Sequence, residues 1–331
     1  MKVFLLGASG LLGHNVLAEL SRQGHEVVAL LRSELHPLFP KDIRFEKRHF
    51  QGSLAQIPYP QLLSAARGCD AIVNCAGTTN MSLLHLDDYL PMNCDLCASL
   101  LRLMDDLSIP VLVHVSSANT IGIGTPQHPS DESVPIAPPF SDSFYAQSKL
   151  MGERLLTEAA AKHPHRHIII LNPGFMVGPF DARPSSGMLL LAAYRKPLMV
   201  VPSGGKSFVS VQAVAEAVAN ALSMGVSGCQ YLLTGESLSL RDFYLKQAAV
   251  CGYRQRVVVL PKALVLLAGR VGDMLRAMGI CTQLSSRNVR QLLVSEYYTN
   301  TRATTQLRLP SIPIEQAIAD FFRCYKSQKK K

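Results

Sequence analysis

Val3-Phe4-Leu5-Leu6-Gly7-Ala8-Ser9-Gly10-Leu11-Leu12-Gly13 opens the chain, and its reading decides the fold. Four consecutive apolar residues read as a strand buried on both faces, the habit of parallel sheets. A glycine turn follows at once, and a helical pattern then runs through Leu20. In that setting Gly7 permits the tight turn, Gly10 lets a phosphate group approach the backbone, and Gly13 lets helix and strand pack closely. Ser9, Leu11 and Leu12 complete the cradle, with the N-terminus of the helix facing the anion. Glycine triplets also occur in plain turns. The position between first strand and first helix makes this one a dinucleotide pyrophosphate site.

Outward from the turn, short apolar runs alternate with helical patterns, as parallel strands joined by crossovers require. Strand-like runs are Val3–Leu6, Glu26–Leu31, Ala71–Asn74, Val111–Ser116 and His167–Leu171; amphipathic stretches are Leu11–Gln23, Leu83–Leu107 and Tyr145–Ala161. The expected fold is α/β, a Rossmann-type doubly wound parallel sheet with a smaller mixed α/β substrate domain. The texture changes after Pro173, where Pro, Gly and Ser become frequent. The expected boundaries are a nucleotide-binding domain at 1–173 plus 207–224 and a substrate-binding domain at 174–206 plus 225–331.

The second strand ends in Leu31-Arg32-Ser33. A carboxylate at this position binds a ribose 2′-hydroxyl, whereas an arginine accommodates a 2′-phosphate. Arg32, with Ser33 as a further donor, therefore favours NADP(H) over NAD(H).

Composition excludes other classes. With 48% apolar and 17% charged residues in 331, the chain is globular rather than disordered. The net charge of +9 is partly local to Lys326, Lys329, Lys330 and Lys331. No basic stripe interleaved with aromatics accompanies it, so nucleic acid is not expected as a partner. No apolar run is long enough to span a bilayer, and Met1–Leu6 is too short for a signal h-region. Segment Lys262–Ile280 is apolar on one face and thinly basic on the other, which suits a cover over the substrate cleft or a subunit contact better than an interfacial membrane helix. Eight scattered cysteines without an export signal fit reduced thiols in the cytoplasm. Cys94 and Cys97 have no second ligand pair nearby, and the ten histidines form no pair at metal spacing, so no metal is expected.

Four further segments then occur in a fixed order: Asn74-Cys75-Ala76-Gly77, Val115-Ser116-Ser117-Ala118, Tyr145-Ala146-Gln147-Ser148-Lys149 and Leu171-Asn172-Pro173-Gly174-Phe175-Met176-Val177-Gly178-Pro179. Together with the glycine turn they resemble the extended short-chain dehydrogenase/reductases, the NAD-dependent epimerase/dehydratase family, over nearly the whole chain. Gly178–Asp181 and Pro184–Gly187 look most like its dihydroflavonol-reductase-like and hopanoid-associated sugar-epimerase-like branch.

The resemblance implies a catalytic set of Ser117, Tyr145 and Lys149, with Cys75, Ala76, Gly77, Pro173 and Met176 beside the cofactor. Tyr145 and Lys149 share a helix face. A phenol has a pKa near ~10, and a neighbouring ammonium is expected to lower it toward use as a proton shuttle. Asn93, which relatives also carry, orders the helix or a water chain. Relatives commonly dimerise through a four-helix contact, so a homodimer is the implied assembly.

The chain departs from its relatives at several points. Asn172 stands for a common Arg, Ser210 and Ala213 stand for His and Asp, and Gln51-Gly52-Ser53 lacks an adenine-side Asp. Loss of the Asp at 213 removes a helix cap. Ala118-Asn119 after Ser117 leaves no Asp-Glu pair, which disfavours dehydration. The expected activity is interconversion of a hydroxyl and a ketone on a small molecule. The alternatives are a nucleotide-sugar epimerase, with Arg183, Arg195, Lys196, Lys206 and Arg241 as candidate diphosphate cations, and a non-catalytic NADP sensor. The substrate pocket is expected among loops Thr78–His85, Thr125–Pro139 and Phe180–Leu190.

Overall fold

The computed structural model describes residues 1–181, 186–280 and 282–328. The chain runs β1 (Lys2–Leu6), α1 (Leu11–Arg22), β2 (Glu26–Leu31), β3 (Glu46–His49), α2 (Tyr59–Ala66), β4 (Ala71–Asn74), α3 (Leu96–Leu107) and β5 (Val111–Val115). It continues through α4 (Phe144–Lys162), β6 (His167–Pro173), β7 (Phe175–Val177), α5 (Gly187–Ala193), β8 (Leu198–Val201), β9 (Gly205–Ser210) and α6 (Val211–Met224). It closes with β10 (Gln230–Leu233), β11 (Glu236–Ser239), α7 (Leu240–Cys251), β12 (Arg256–Val259), α8 (Lys262–Ala277), α9 (Ser286–Gln291), α10 (Thr301–Gln306) and α11 (Ile314–Gln328).

Seven strands form one sheet in the order β10-β6-β5-β4-β1-β2-β3, and every pairing in it is parallel. Apolar layers cover both faces. On one side Val16, Leu17 and Leu20 of α1 and Val214 and Val218 of α6 meet Val3, Leu5, Val27 and Leu31. On the other, Leu62 of α2, Leu96, Leu100 and Leu103 of α3 and Leu156 of α4 meet Phe4, Leu6, Val28 and Leu30. Each such side chain contributes roughly 1.5–3 kcal/mol by leaving water. Strand order reverses between β1 and β4, and that switch point is where open α/β sheets bind ligands.

A second core belongs to the smaller sheets and their helices. Phe208, Phe243, Leu190, Ile318 and Phe321 pack together there, and the Phe208 and Phe243 rings stack with centroids 4.0 Å apart. The 207–224 segment supplies α6 to the large layer, while the strand after it, β10, completes the large sheet beside β6.

Three local features depart from the sequence reading. Leu83–Leu107 is not one helix: a short 3₁₀ turn at Leu86–Asp88 and a π turn at Pro91–Asp95 precede α3. Pro91 lacks the N–H that a continuous helix would use there. Strand β3, Glu-Lys-Arg-His, carries no hydrophobic run because it lies at the sheet edge, where its side chains alternate with solvent. Helix α6 keeps a cap despite Ala213, because the Ser210 hydroxyl accepts from the Gln212 N–H at 3.3 Å.

No helix among the described residues is long and apolar enough to cross a membrane. Nor do they contain a group of three His, Cys, Asp or Glu side chains able to hold a metal. Arg183, Pro184, Ser185, Cys281 and the terminal lysines at 329–331 lie outside the described residues.

Candidate active site

Strands β1 and β4 end side by side, which brings the Gly7 turn against Cys75-Ala76-Gly77. Gly7 has φ +79°, and a Cβ there would fall 2.7 Å from the backbone of Cys75 and Ala76. A Cβ on Gly13 would fall 2.0 Å from the Gly7 carbonyl oxygen, so helix α1 sits on the turn as closely as glycine allows. Gly10 differs: the one atom near its missing Cβ is the Gly7 carbonyl oxygen at 3.3 Å. Gly10 is exposed at the N-cap of α1, with no capping side chain and no acid in the first turn. The N–H groups of Leu11, Leu12 and Gly13 precede the first helical bond, from the His14 N–H to the Gly10 carbonyl at 3.0 Å, and a helix start of this kind favours a phosphate. Ser9 is half-buried beside it, and Leu12 is buried beneath.

Arg32 follows β2 directly, is exposed, and has no ion-pair partner among the described residues. The nearby Glu34 pairs with Lys47 instead, at 3.7 Å. The arginine is thus free to meet an anion at the edge of the switch point.

The chemistry-bearing side chains converge from two elements. Ser117 follows β5 and opens a short 3₁₀ turn, where its hydroxyl accepts from the Asn119 N–H at 3.2 Å. Tyr145 and Lys149 lie one turn apart on α4, whose N-cap is Ser143. All three are buried, and the Ser117 side chain interacts with the Tyr145 phenol. Lys149 Nζ donates to the Val115 carbonyl at 3.1 Å. It lies so close beneath Gly77 that a Cβ there would sit 2.8 Å from it. Pro173 ends β6, and Met176 lies half-buried in β7 beyond it.

The electrostatics differ from the sequence expectation in one respect. Burial pushes the Tyr145 phenol above its ordinary value, and the contact that opposes this is the Ser117 hydroxyl rather than the ammonium of Lys149. Burial likewise lowers Lys149. Its amine is directed at a backbone carbonyl, so the pair does not act as a simple ion pair in this state.

Asn93 has a definite place. Its Oδ1 accepts from the Thr78 N–H at 2.9 Å, and its Nδ2 donates to the Thr78 carbonyl and to Ser148 Oγ. It fastens the strand end after Gly77 to the helix that carries Lys149, and no water chain is needed for that. The π turn at Pro91–Asp95 aims it inward.

Sequence reasoning missed the buried network behind this set. Glu153, one more turn along α4, accepts from Thr120 Oγ1 at 2.8 Å and Asn172 Nδ2 at 2.6 Å through one oxygen, and from Gln230 Nε2 at 2.9 Å through the other. Asn172 also donates to the Ser117 carbonyl at 3.1 Å. The residue that replaces a family arginine thus holds the serine turn, and burial raises the Glu153 carboxyl. The four-residue spacing Tyr145, Lys149, Glu153 was the available signal.

A cavity of about 780 Å³ opens beside α4, lined by Leu84, His85, Phe144, Gln147, Arg276 and Arg287 among others. Leu84 and His85 belong to the expected Thr78–His85 loop. The opposite wall is formed by Asp273, Arg276 and Ala277 of α8 and by Ser286, Arg287 and Arg290 of α9. Of the candidate diphosphate cations, none of Arg195, Lys196, Lys206 and Arg241 lines this cavity. Lys206 is instead paired with the buried Glu296, and Arg241 lies 4.0 Å from Asp242.

Residues 3–233 match the model of the NAD dependent epimerase/dehydratase family. The "Putative dihydroflavonol 4-reductase" of Synechocystis sp. is 24% identical over 323 residues, 96% of this chain and 92% of its own. A 4-hydroxy-2-methyl-3-oxo-4-farnesyl-3,4-dihydroquinoline-1-oxide ketoreductase of Stigmatella aurantiaca is 27% identical over 281 residues, 83% of this chain and 80% of its own. The crystal structure of gox2253 superposes with a TM-score of 0.81 at 22% identity, covering 98% of both chains. A glycine turn against the end of β4, a parallel sheet reversing at that point and a family match over most of the length agree: this chain belongs to the NAD dependent epimerase/dehydratase family.

Proposed function

We propose that the chain is an NADP(H)-dependent oxidoreductase that interconverts a hydroxyl and a ketone on a small molecule, with Ser117, Tyr145 and Lys149 as its catalytic residues. The observation that carries this reading is the meeting of the Tyr145 phenol with Ser117, above a Lys149 amine that Gly77 alone leaves room for. The residues fit a nicotinamide dinucleotide. The open N-terminus of α1 at Gly10 suits its pyrophosphate, unpaired Arg32 suits a 2′-phosphate, and exposed Gly77 leaves space beside Lys149. When bound, the nicotinamide supplies or accepts the hydride.

The protein's own part is acid–base work and positioning. Tyr145 gives a proton to the substrate oxygen in reduction and takes it back in oxidation. Its raised pKa keeps the phenol protonated in the resting state, ready to donate. Ser117 holds the same substrate oxygen by a hydrogen bond and is itself held through its carbonyl by Asn172. Lys149, fixed by the Val115 carbonyl, binds the nicotinamide-side ribose and stabilises charge as the proton leaves Tyr145. The free cysteines suit a reducing compartment, which we take to be the cytoplasm.

The test is a panel of carbonyl compounds and sugar nucleotides with NADPH and NADH, followed by absorbance. Net oxidation of NADPH supports the reading, whereas isomerisation without net cofactor change makes the protein an epimerase. Tyr145→Phe abolishes turnover while NADPH still binds. Arg32→Ala removes the preference for NADPH, by about 10- to 100-fold for one charged hydrogen bond of ~1.5–3 kcal/mol.

A further inference from the structure

The cavity beside α4 is lined by guanidinium groups that form no ion pair among the described residues. Arg287 of α9 lies over the Phe144 ring, with its guanidinium carbon 3.6 Å from the ring centroid. Stacking fixes the plane of the group and leaves its N–H edge turned outward. Among the described residues it has no side-chain hydrogen bond and no ion pair, although it is half-buried. Arg290 lies three residues further on the same helix, on the same face, and lines the same cavity.

Arg276 of α8 forms a fixed wall. Its Nε and Nη2 donate to the Thr282 carbonyl at 3.0 and 2.7 Å, and Nη2 also reaches the Met81 carbonyl at 3.0 Å. Those bonds hold it where it repels Arg287, whose pKa is lowered by burial first and by Arg276 next. Asp142 and Asp273 also line the cavity and act favourably on Arg287, yet neither is within ion-pair distance of it. Asp273 is engaged by the Ser286 N–H at 3.0 Å. Three arginines face two carboxylates across an open space, and an anion is what would relieve their repulsion.

The location links this cluster to the reaction. Phe144 and Gln147, which line the cavity, flank Tyr145 on α4. The buried Tyr89 lies within the electrostatic reach of Arg276 and Arg287 on one side and of Tyr145 on the other.

We infer that this cavity binds an oxyanion, carboxylate or phosphate, carried by the substrate itself, with Arg287 and Arg290 as its specificity-determining contacts and Arg276 as the fixed wall. The inference rests on reading Ser117, Tyr145 and Lys149 as the reacting end of the same cleft. The substrate therefore presents its ketone or hydroxyl at Tyr145 and its anionic group toward α9.

The experiment uses the full chain saturated with NADP⁺, so that the cofactor's own phosphate site is filled. Calorimetric titrations with inorganic pyrophosphate and with glutarate probe the phosphate and carboxylate sources separately. Binding of either is expected, weakened at least about tenfold by Arg287→Gln and further by the double variant with Arg290→Gln. Arg270→Gln, on the exposed side of α8, controls for net charge and leaves binding unchanged. In turnover, keto acids are expected to be preferred over their amides, and Arg287→Gln is expected to erase the preference through KM. Failure of both probes to bind, or binding and preference indifferent to Arg287, overturns the inference. Arginine-dependent anion binding by a protein that takes no nicotinamide nucleotide would preserve the anion site and overturn the oxidoreductase reading.

Discussion

Replacing Gly77 by Ala adds one methyl group where the amine of Lys149 has to be. The new Cβ falls 2.8 Å from Lys149 Nζ and 3.3 Å from both Lys149 Cε and Asn93 Oδ1. Ordinary contact begins near 3.4 Å. A lysine end group moves cheaply on a surface, but this one is buried and tied to the Val115 carbonyl at 3.1 Å. The amine therefore shifts by more than half an ångström, roughly, and its charge-assisted bond, worth about 1.5–3 kcal/mol, is stretched or lost. Misplacing a reacting group by about 1 Å costs on the order of 10²-fold in rate, about 2.7 kcal/mol of barrier. The assay is steady-state NADPH oxidation with a carbonyl substrate from the panel, alongside NADPH affinity and Tm. We expect kcat down about 100-fold, weaker NADPH binding and a small change in Tm. A variant that turns over within a factor of about two of the parent would refute the placement of Lys149 beneath Gly77, since no amine so crowded could keep its position.

The glycines of the first turn separate folding from binding. Gly10→Ala leaves Tm of the cofactor-free protein almost unchanged, because little but the Gly7 carbonyl lies near the new Cβ, yet it weakens NADPH binding; Gly13→Ala, with its Cβ 2.0 Å from that carbonyl, lowers Tm itself. Acid stability depends on His14, whose Nε2 accepts from the His36 N–H at 2.8 Å and whose pKa burial lowers to about 4. The unfolded histidine takes up a proton near pH ~6.5, which the folded one refuses, so stability is full above that pH and falls by about 1.4 kcal/mol per unit toward pH 4. Urea titrations at several pH values check this, and His14→Phe flattens the slope; burial lowers His114 in the same direction, so a residual slope remains.

Much of the fold was legible because local chemistry determined it. β1, β2, β4 and β5 are parallel strands buried over most of their length, and a mainly apolar run is what such a position favours, with Asn74 and His114 as buried polar exceptions. The turn at Gly7–Gly13 was equally plain, since sterics admit only glycine at Gly7 and Gly13 and Gly10 leaves the helix start open to a ligand. The edge strand β3 was invisible for the complementary reason: half in solvent, it needs no hydrophobic pattern. The break before α3 was written in Pro91, but the aim it gives Asn93 was not.

Sequence alone pointed to the glycine turn and the parallel sheet through residue types at short, fixed spacings, and the family resemblance pointed to the candidate trio at 117, 145 and 149. The tertiary structure decided what surrounds them. Glu153, Thr120, Asn172 and Gln230 come from four separate segments to support the serine turn, and Arg287 meets the Phe144 ring from a helix far along the chain. Contacts at that separation follow from how layers pack, and no local periodicity records them. The direction of the lysine amine, toward a carbonyl rather than the phenol, was likewise a property of burial, which a spacing of four residues cannot express.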